Sequence, residues 1–128
     1  MKAISAALIL VTFTFANQKN VNTKMVTKNI EQGLTHKNPG VVESAIRVAI
    51  LLKIAYPDAD YGDVIDELED LIMDGANKNI RLKALIAADY LNNFDQYQWL
   101  KQYNNSDGEQ VFDAYLNKLN FNRIAKTN

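Results

Sequence analysis

The strongest constraint on this chain is a unit that occurs twice: an amphipathic helix, an Asn-containing turn, then an apolar helix. Sliding the sequence by 39 residues lays Val41, Ser44, Ala45, Ile46, Val48, Ala49 and Leu52 on Ile80, Lys83, Ala84, Leu85, Ala87, Ala88 and Leu91. The helix ahead of each aligns at a shift of 38, Ile30 on Leu68 and Leu34 on Ile72. A single helix pair cannot cover its own apolar stripe, so repeated pairs bury their faces by stacking.

Periodicity sets the elements. Over Met25 to His36, Val26, Ile30, Gly33 and Leu34 share one helix face. Asn38-Pro39 opens the next helix, because Asn caps well and Pro suits the first helical position. That helix runs to about Tyr56 and is apolar on nearly every side, which predicts a central, covered place. Pro57 stops it, since the residue before a proline avoids the helical region. Gly62 to Asp74 carries Val64, Ile65, Leu68, Leu71 and Ile72 on one side and Asp63, Asp66, Glu67, Glu69 and Asp70 on the other. Asp60 is its expected N-cap and Gly75 its expected C′ residue.

Asn77 to about Phe94 is the second apolar helix, with Ile80, Leu82, Ala84, Leu85, Ala87, Ala88 and Leu91 as its expected core. A shorter segment covers about Asp95 to Tyr103. Ser106-Asp-Gly-Glu109 is then a capping box for a last helix that places Val111, Phe112, Tyr115 and Leu119 on one face. No stretch alternates as a strand does, so the fold class is all-α.

Two stretches carry more than periodicity. Asn38-Pro-Gly-Val-Val-Glu-Ser-Ala45 and Asn77-Lys-Asn-Ile-Arg-Leu-Lys-Ala84 share a capped helix start with a β-branched residue and, later, an alanine. Together with the period near 40, they resemble the HEAT-like (armadillo/HEAT type) α-helical repeat family, here as a small exported bacterial member. The resemblance covers about Met25 to Phe94. Arg81 matches the family's basic position, whereas the first repeat has Val42 or Glu43 nearby. The resemblance implies a short right-handed α-solenoid of two helical hairpins. Two repeats are fewer than such stacks need, so the chain from about residue 95 must act as a C-terminal helical cap. Eight of the twelve aromatic residues fit that role: Tyr90, Phe94, Tyr97, Trp99, Tyr103, Phe112, Tyr115 and Phe121.

The N-terminus reads as a secretory signal peptide over residues 1–16. Lys2 is a positive n-region, Ala3 to Phe15 an apolar run, and Thr14-Phe15-Ala16 a small-residue cleavage site before Asn17. This run of 13 residues, broken only by Ser5, Thr12 and Thr14, is too short to span a bilayer, which needs roughly 20. A core helix would carry a polar face, and this run has none. Residues 17–24 follow as a flexible leader, 25–121 as the domain and 122–128 as a tail. The product is expected to be periplasmic or secreted, with no membrane segment after cleavage. Loss of Lys2 leaves 13 basic and 15 acidic residues, so no basic excess exists to bind nucleic acid. The chain has no cysteine, hence no disulfides and no lipid anchor that needs one.

Catalytic constellations are missing from the sequence. His36 is the single histidine and sits at a turn; after cleavage only Ser44 and Ser106 remain as serines. No nucleophile has a matching base, and no catalytic, cofactor or metal residue is assigned. The acidic run from Asp58 to Glu69 has the length of a calcium loop. However, Asp63 stands where that loop's turn needs glycine, and the Val64/Ile65/Leu68 period makes the run a helix with a solvated acidic face. Lys78, Arg81 and Lys83 open the second apolar helix, where they would steer an anionic partner or, for Arg81, bridge structurally to a carboxylate.

These features lead to an expected non-catalytic protein–protein interaction module, monomeric or weakly dimeric. Glu43, Arg47, Lys78, Arg81, Lys83 and Trp99 are its candidate partner surface. The competing expectation is a small-molecule- or cation-binding protein, or an enzyme, using the acidic 58–70 region or the aromatic C-terminal part. A pocket gathering Tyr97, Trp99 or Tyr103 would favour that alternative; an exposed apolar patch would favour the interaction module.

Overall fold

Three asparagines start three helices. Asn22, Asn38 and Asn77 accept the backbone N–H groups of Met25, Gly40 and Ile80 at 3.1, 2.8 and 2.8 Å. Each fills one of the donors that a helix start leaves unpaired. The computed structural model describes residues 22–103 and 110–118, side chains at 99–103 excepted. Helices α1 (Thr23–Leu34), α2 (Pro39–Ala55), α3 (Gly62–Asp74) and α4 (Lys78–Asn92) lead into a 3-10 segment, Phe94–Tyr103, kinked at Tyr97. A further helix, α5, covers 110–118. No strand occurs among the described residues, and the class is all-α. The expected signal peptide, the leader up to residue 21, the capping box at 106–109, Leu119 and the tail lie outside the described residues.

Local chemistry moved two boundaries. Helix α1 opens at Thr23 rather than Met25, because Asn22 supplies the cap. At α3 the N-cap position is Tyr61, which makes no side-chain cap, while Asp60 accepts the Gly62 N–H at 2.9 Å from one residue further out.

Gly75 also differs from its expected role. It is extended, with φ −56°, so it is not the left-handed C′ residue of a Schellman turn. Space is the reason for glycine here. A Cβ would lie 2.7 Å from the Leu71 carbonyl oxygen and 2.9 Å from Cγ of Arg81.

The hairpins pack as units. Helix α1 lies on α2 and on α3, and α4 lies on α3 and on α2. Helices α2 and α4 run side by side in the same direction. Glu43 near the start of α2 meets Lys83 near the start of α4. At the other end, Lys53 of α2 sits over the Phe94 ring, just past α4. Ile30, Leu34, Ile46, Ile50, Leu52, Val64, Leu68, Ile80, Ile86 and Tyr90 are fully buried, and the Val111 and Phe112 face of α5 joins the same core. Burying each such aliphatic chain contributes about 1.5–3 kcal/mol.

The sequence repeat holds in burial at most places. Ala45 and Ala84, Val48 and Ala87, Ala49 and Ala88, and Leu52 and Leu91 are buried in both helices. It fails most widely at one pair: Ile46 is fully buried, whereas its counterpart Leu85 is 50% exposed. Val41 is also only half-buried where its counterpart Ile80 is fully buried. Leu82, also expected in the core, is 40% exposed. Both leucines lie on the part of α4 turned away from its packed side.

Candidate functional site

Of the six residues expected to form a partner surface, the fold joins Glu43 and Lys83. Their side chains lie 3.4 Å apart, and Asn79 Nδ2 donates to the same Glu43 oxygen at 2.6 Å. This ties the start of α2 to the start of α4, a contact between the two sequence repeats. Lys83 Nζ also lies 5.5 Å from the Phe112 ring centroid, close enough for a cation–π contact that reaches α5. A buttressed pair of this kind is structural in geometry.

Arg81 departs from its expected partner. Its Nη1 donates to the Gly75 carbonyl oxygen at 2.9 Å, holding the α3–α4 turn rather than a carboxylate. Arg47 Nη2 donates to Ser44 Oγ at 3.1 Å on its own helix. Lys78 is exposed at the first position of α4. The Trp99 side chain lies outside the described residues.

The most concentrated polar cluster was not expected. Asp89 of α4 accepts from Asn93 Nδ2 at 2.8 Å, and its other oxygen accepts the hydroxyls of Tyr97 and Tyr115, each at 2.5 Å. Burial works to raise the Asp89 pKa, but the hydrogen bonds from Tyr115, Tyr97 and Asn93 outweigh it and hold the carboxyl below its ordinary value. The same arrangement raises Tyr115 and Tyr97, through burial first and then through the bond to Asp89. One carboxylate thus clasps the 3-10 segment and α5 onto α4. Only the i, i+4 spacing of Asp89 and Asn93 signals it in sequence; two tyrosines 18 residues apart do not announce a shared partner.

Beside the clasp runs an aromatic row. Tyr90 meets Phe94 edge-on at 5.5 Å, Tyr97 at 6.0 Å, and Tyr97 meets Tyr115 at 5.4 Å. Tyr97 is thereby committed to packing and to Asp89. The Tyr90 hydroxyl is buried with no hydrogen-bond partner among the described residues. Lys53 forms a second unexpected feature. Its ammonium donates to the Pro57 carbonyl at 2.7 Å and lies 4.8 and 5.2 Å from the Tyr61 and Phe94 ring centroids. Desolvation lowers its pKa against the opposing pull of Asp58 and Asp95.

The acidic side of α3 is solvated where expected, at Asp63, Asp66, Glu69 and Asp70. Glu31 of α1 faces it, and its pKa is raised by burial, then by Asp63 and Glu67, with Lys28 opposing. Among the described residues, no three His, Cys, Asp or Glu side chains gather so as to hold a metal ion. Open clefts lie between α1 and α3 and beside Lys53, and neither is lined by Tyr97. Among the described helices, none is long and apolar enough to cross a membrane.

No family model matches this chain, and no curated protein or solved structure resembles it significantly.

Proposed function

We propose that this chain is an exported, non-catalytic interaction module of HEAT-like type, two stacked helical hairpins with a C-terminal cap, presenting one face to a protein partner. The observation that carries the reading is the exposed apolar pair Leu82 and Leu85 on α4, one helical turn apart. Paired exposed leucines on an ordered helix cost solvation that a buried partner face would recover. The side-by-side, same-direction packing of α2 with α4 supports a stack of repeats, as do the burial equivalences between the two apolar helices. Support for export comes from the order of Lys2, the apolar run and Thr14-Phe15-Ala16.

The test is affinity capture by the mature protein from its own envelope fraction, run beside a Leu85→Asp variant. The reading expects a partner held by the parent chain and lost by the variant. A partner held equally by both would remove this face from the function. Capture of nothing by either, together with saturable binding of a small molecule or cation, would replace the interaction module with the ligand-binding alternative.

A further inference from the structure

Leu82 and Leu85 belong to a longer stripe. Lys78, Leu82, Leu85 and Asp89 recur at spacings of four, three and four residues, so they follow one line along α4. All four side chains are exposed or half-exposed. The line carries a cation at its N-terminal end, two apolar side chains in the middle and an anion at its C-terminal end. It spans roughly 16 Å at 1.5 Å per residue.

This order has a symmetry of its own. Turned antiparallel about a point midway between residues 83 and 84, the stripe superimposes cation on anion and leucine on leucine. Lys78 then faces Asp89 of a second copy, Leu82 faces that copy's Leu85, and both contacts recur across the axis. Self-complementarity of this kind is what an isologous two-fold interface requires. A partner with unrelated charges would not need it.

We infer that the stripe Lys78–Leu82–Leu85–Asp89 is a homodimer contact, in which α4 packs antiparallel against α4 of a second copy. The inference names the partner for the interaction reading above and rests on it. The Asp89 clasp suits this role. Its carboxylate is fixed by Tyr97, Tyr115 and Asn93, so one end of the stripe is pre-positioned and ionised. Antiparallel α4 helices also bring opposite dipole ends together. Four leucines and two rim ion pairs make a small interface, so the dimer is weak and concentration-dependent.

The experiment follows the mature chain by sedimentation equilibrium from micromolar to about millimolar concentration, the range in which small interfaces assemble. A monomer–dimer equilibrium is expected. Leu85→Asp should raise the dissociation constant at least about tenfold, since it places a carboxylate against the partner's Leu82. Lys78→Glu should weaken it by a smaller factor and reverse its salt dependence, because added salt then screens a repulsion from the partner's Asp89. Circular dichroism checks that both variants remain folded.

Because the chain has no cysteine, pairing can also be read directly. A mixture of Leu82→Cys and Leu85→Cys chains should form a mixed disulfide faster than either alone, and faster than Met73→Cys, an exposed control on α3. A strict monomer at millimolar concentration would overturn the inference, as would a dimer indifferent to Leu85→Asp or equal cross-linking through Met73→Cys. If such a monomer still captured another protein through Leu85, self-association alone would fall and the interaction reading would stand. A dimer sensitive to Leu85→Asp, with no other protein captured, would support the inference with the second copy as the partner.

Discussion

The hydroxyl of Tyr115 on α5 and that of Tyr97 in the 3-10 segment donate to one oxygen of the Asp89 carboxylate on α4. Three elements from different parts of the chain are therefore fastened at one anion. Hydrogen bonds to charged groups stabilise by about 1.5–3 kcal/mol when dry, and Asp89 is partly solvated. Tyr115→Phe should therefore cost about 1 kcal/mol in urea unfolding. Faster amide exchange should be confined to α5. A uniform rise in exchange across α1 to α4 would show that the clasp does not act locally.

Tyr90 makes the contrasting case. Its hydroxyl is buried and has no partner among the described residues, and such a group costs about 1–3 kcal/mol in desolvation. Its ring contacts to Phe94 and Tyr97 do not need the oxygen. Tyr90→Phe should leave stability unchanged or raise it by up to about 1 kcal/mol. A loss as large as that of Tyr115→Phe would mean the hydroxyl has a partner in solution.

The clasp also sets a pH dependence. The Asp89 pKa is lowered in the folded chain, so its contribution is present above the ordinary carboxyl range and is lost as pH falls through the folded-state value. The tyrosine pKa values are raised, so their contribution is full below the ordinary phenol range and is lost as pH rises through theirs. Attachment of α5 should be constant from about pH 5 to 9 and weaken outside that window. Asp89→Asn should remove the acid limb while leaving the alkaline one. Persistence of the acid limb in Asp89→Asn would assign it to other carboxyls.

The helices were readable because their signals are local. Asn38 with Pro39, Asn77, Pro57 and the Val64/Leu68 spacing each act within a few residues. What stayed hidden depends on tertiary neighbours. Leu85 looks like Ile46 in sequence, yet α2 is covered by both α1 and α4, whereas one sector of α4 has no such neighbour among the described residues. Arg81 was expected on a carboxylate because sequence shows charges and not carbonyl directions; the turn carbonyl of Gly75 lies closer. Asp89 carried no warning because its tyrosine partners come from beyond α4.

Facing of the acidic helix can be checked by two neighbouring truncations. Leu68 is fully buried in the core, and Glu69 beside it is exposed. Leu68→Ala should cost about 2–5 kcal/mol, as buried leucine truncations do. Glu69→Ala should cost less than about 0.5 kcal/mol. Equal costs in thermal or urea unfolding would contradict the burial pattern of α3.

The last expectation concerns the turn between α3 and α4, where two residues share one space. A side chain at residue 75 would press on the Leu71 carbonyl and on the Arg81 stem, and the first of these is backbone that cannot step aside. Backbone conformation is no obstacle, because Gly75 is extended with φ −56°. Gly75→Ala should therefore destabilise by about 1–3 kcal/mol through crowding alone. Arg81→Ala relieves one of the three close contacts and gives up the bond to the Gly75 carbonyl, at about 1 kcal/mol. If crowding is the cause, Gly75→Ala should cost less in an Arg81→Ala background than in the parent chain. Strict additivity in the double-mutant cycle would mean that the Leu71 carbonyl and Ile80 Cγ2, rather than the Arg81 stem, exclude the side chain.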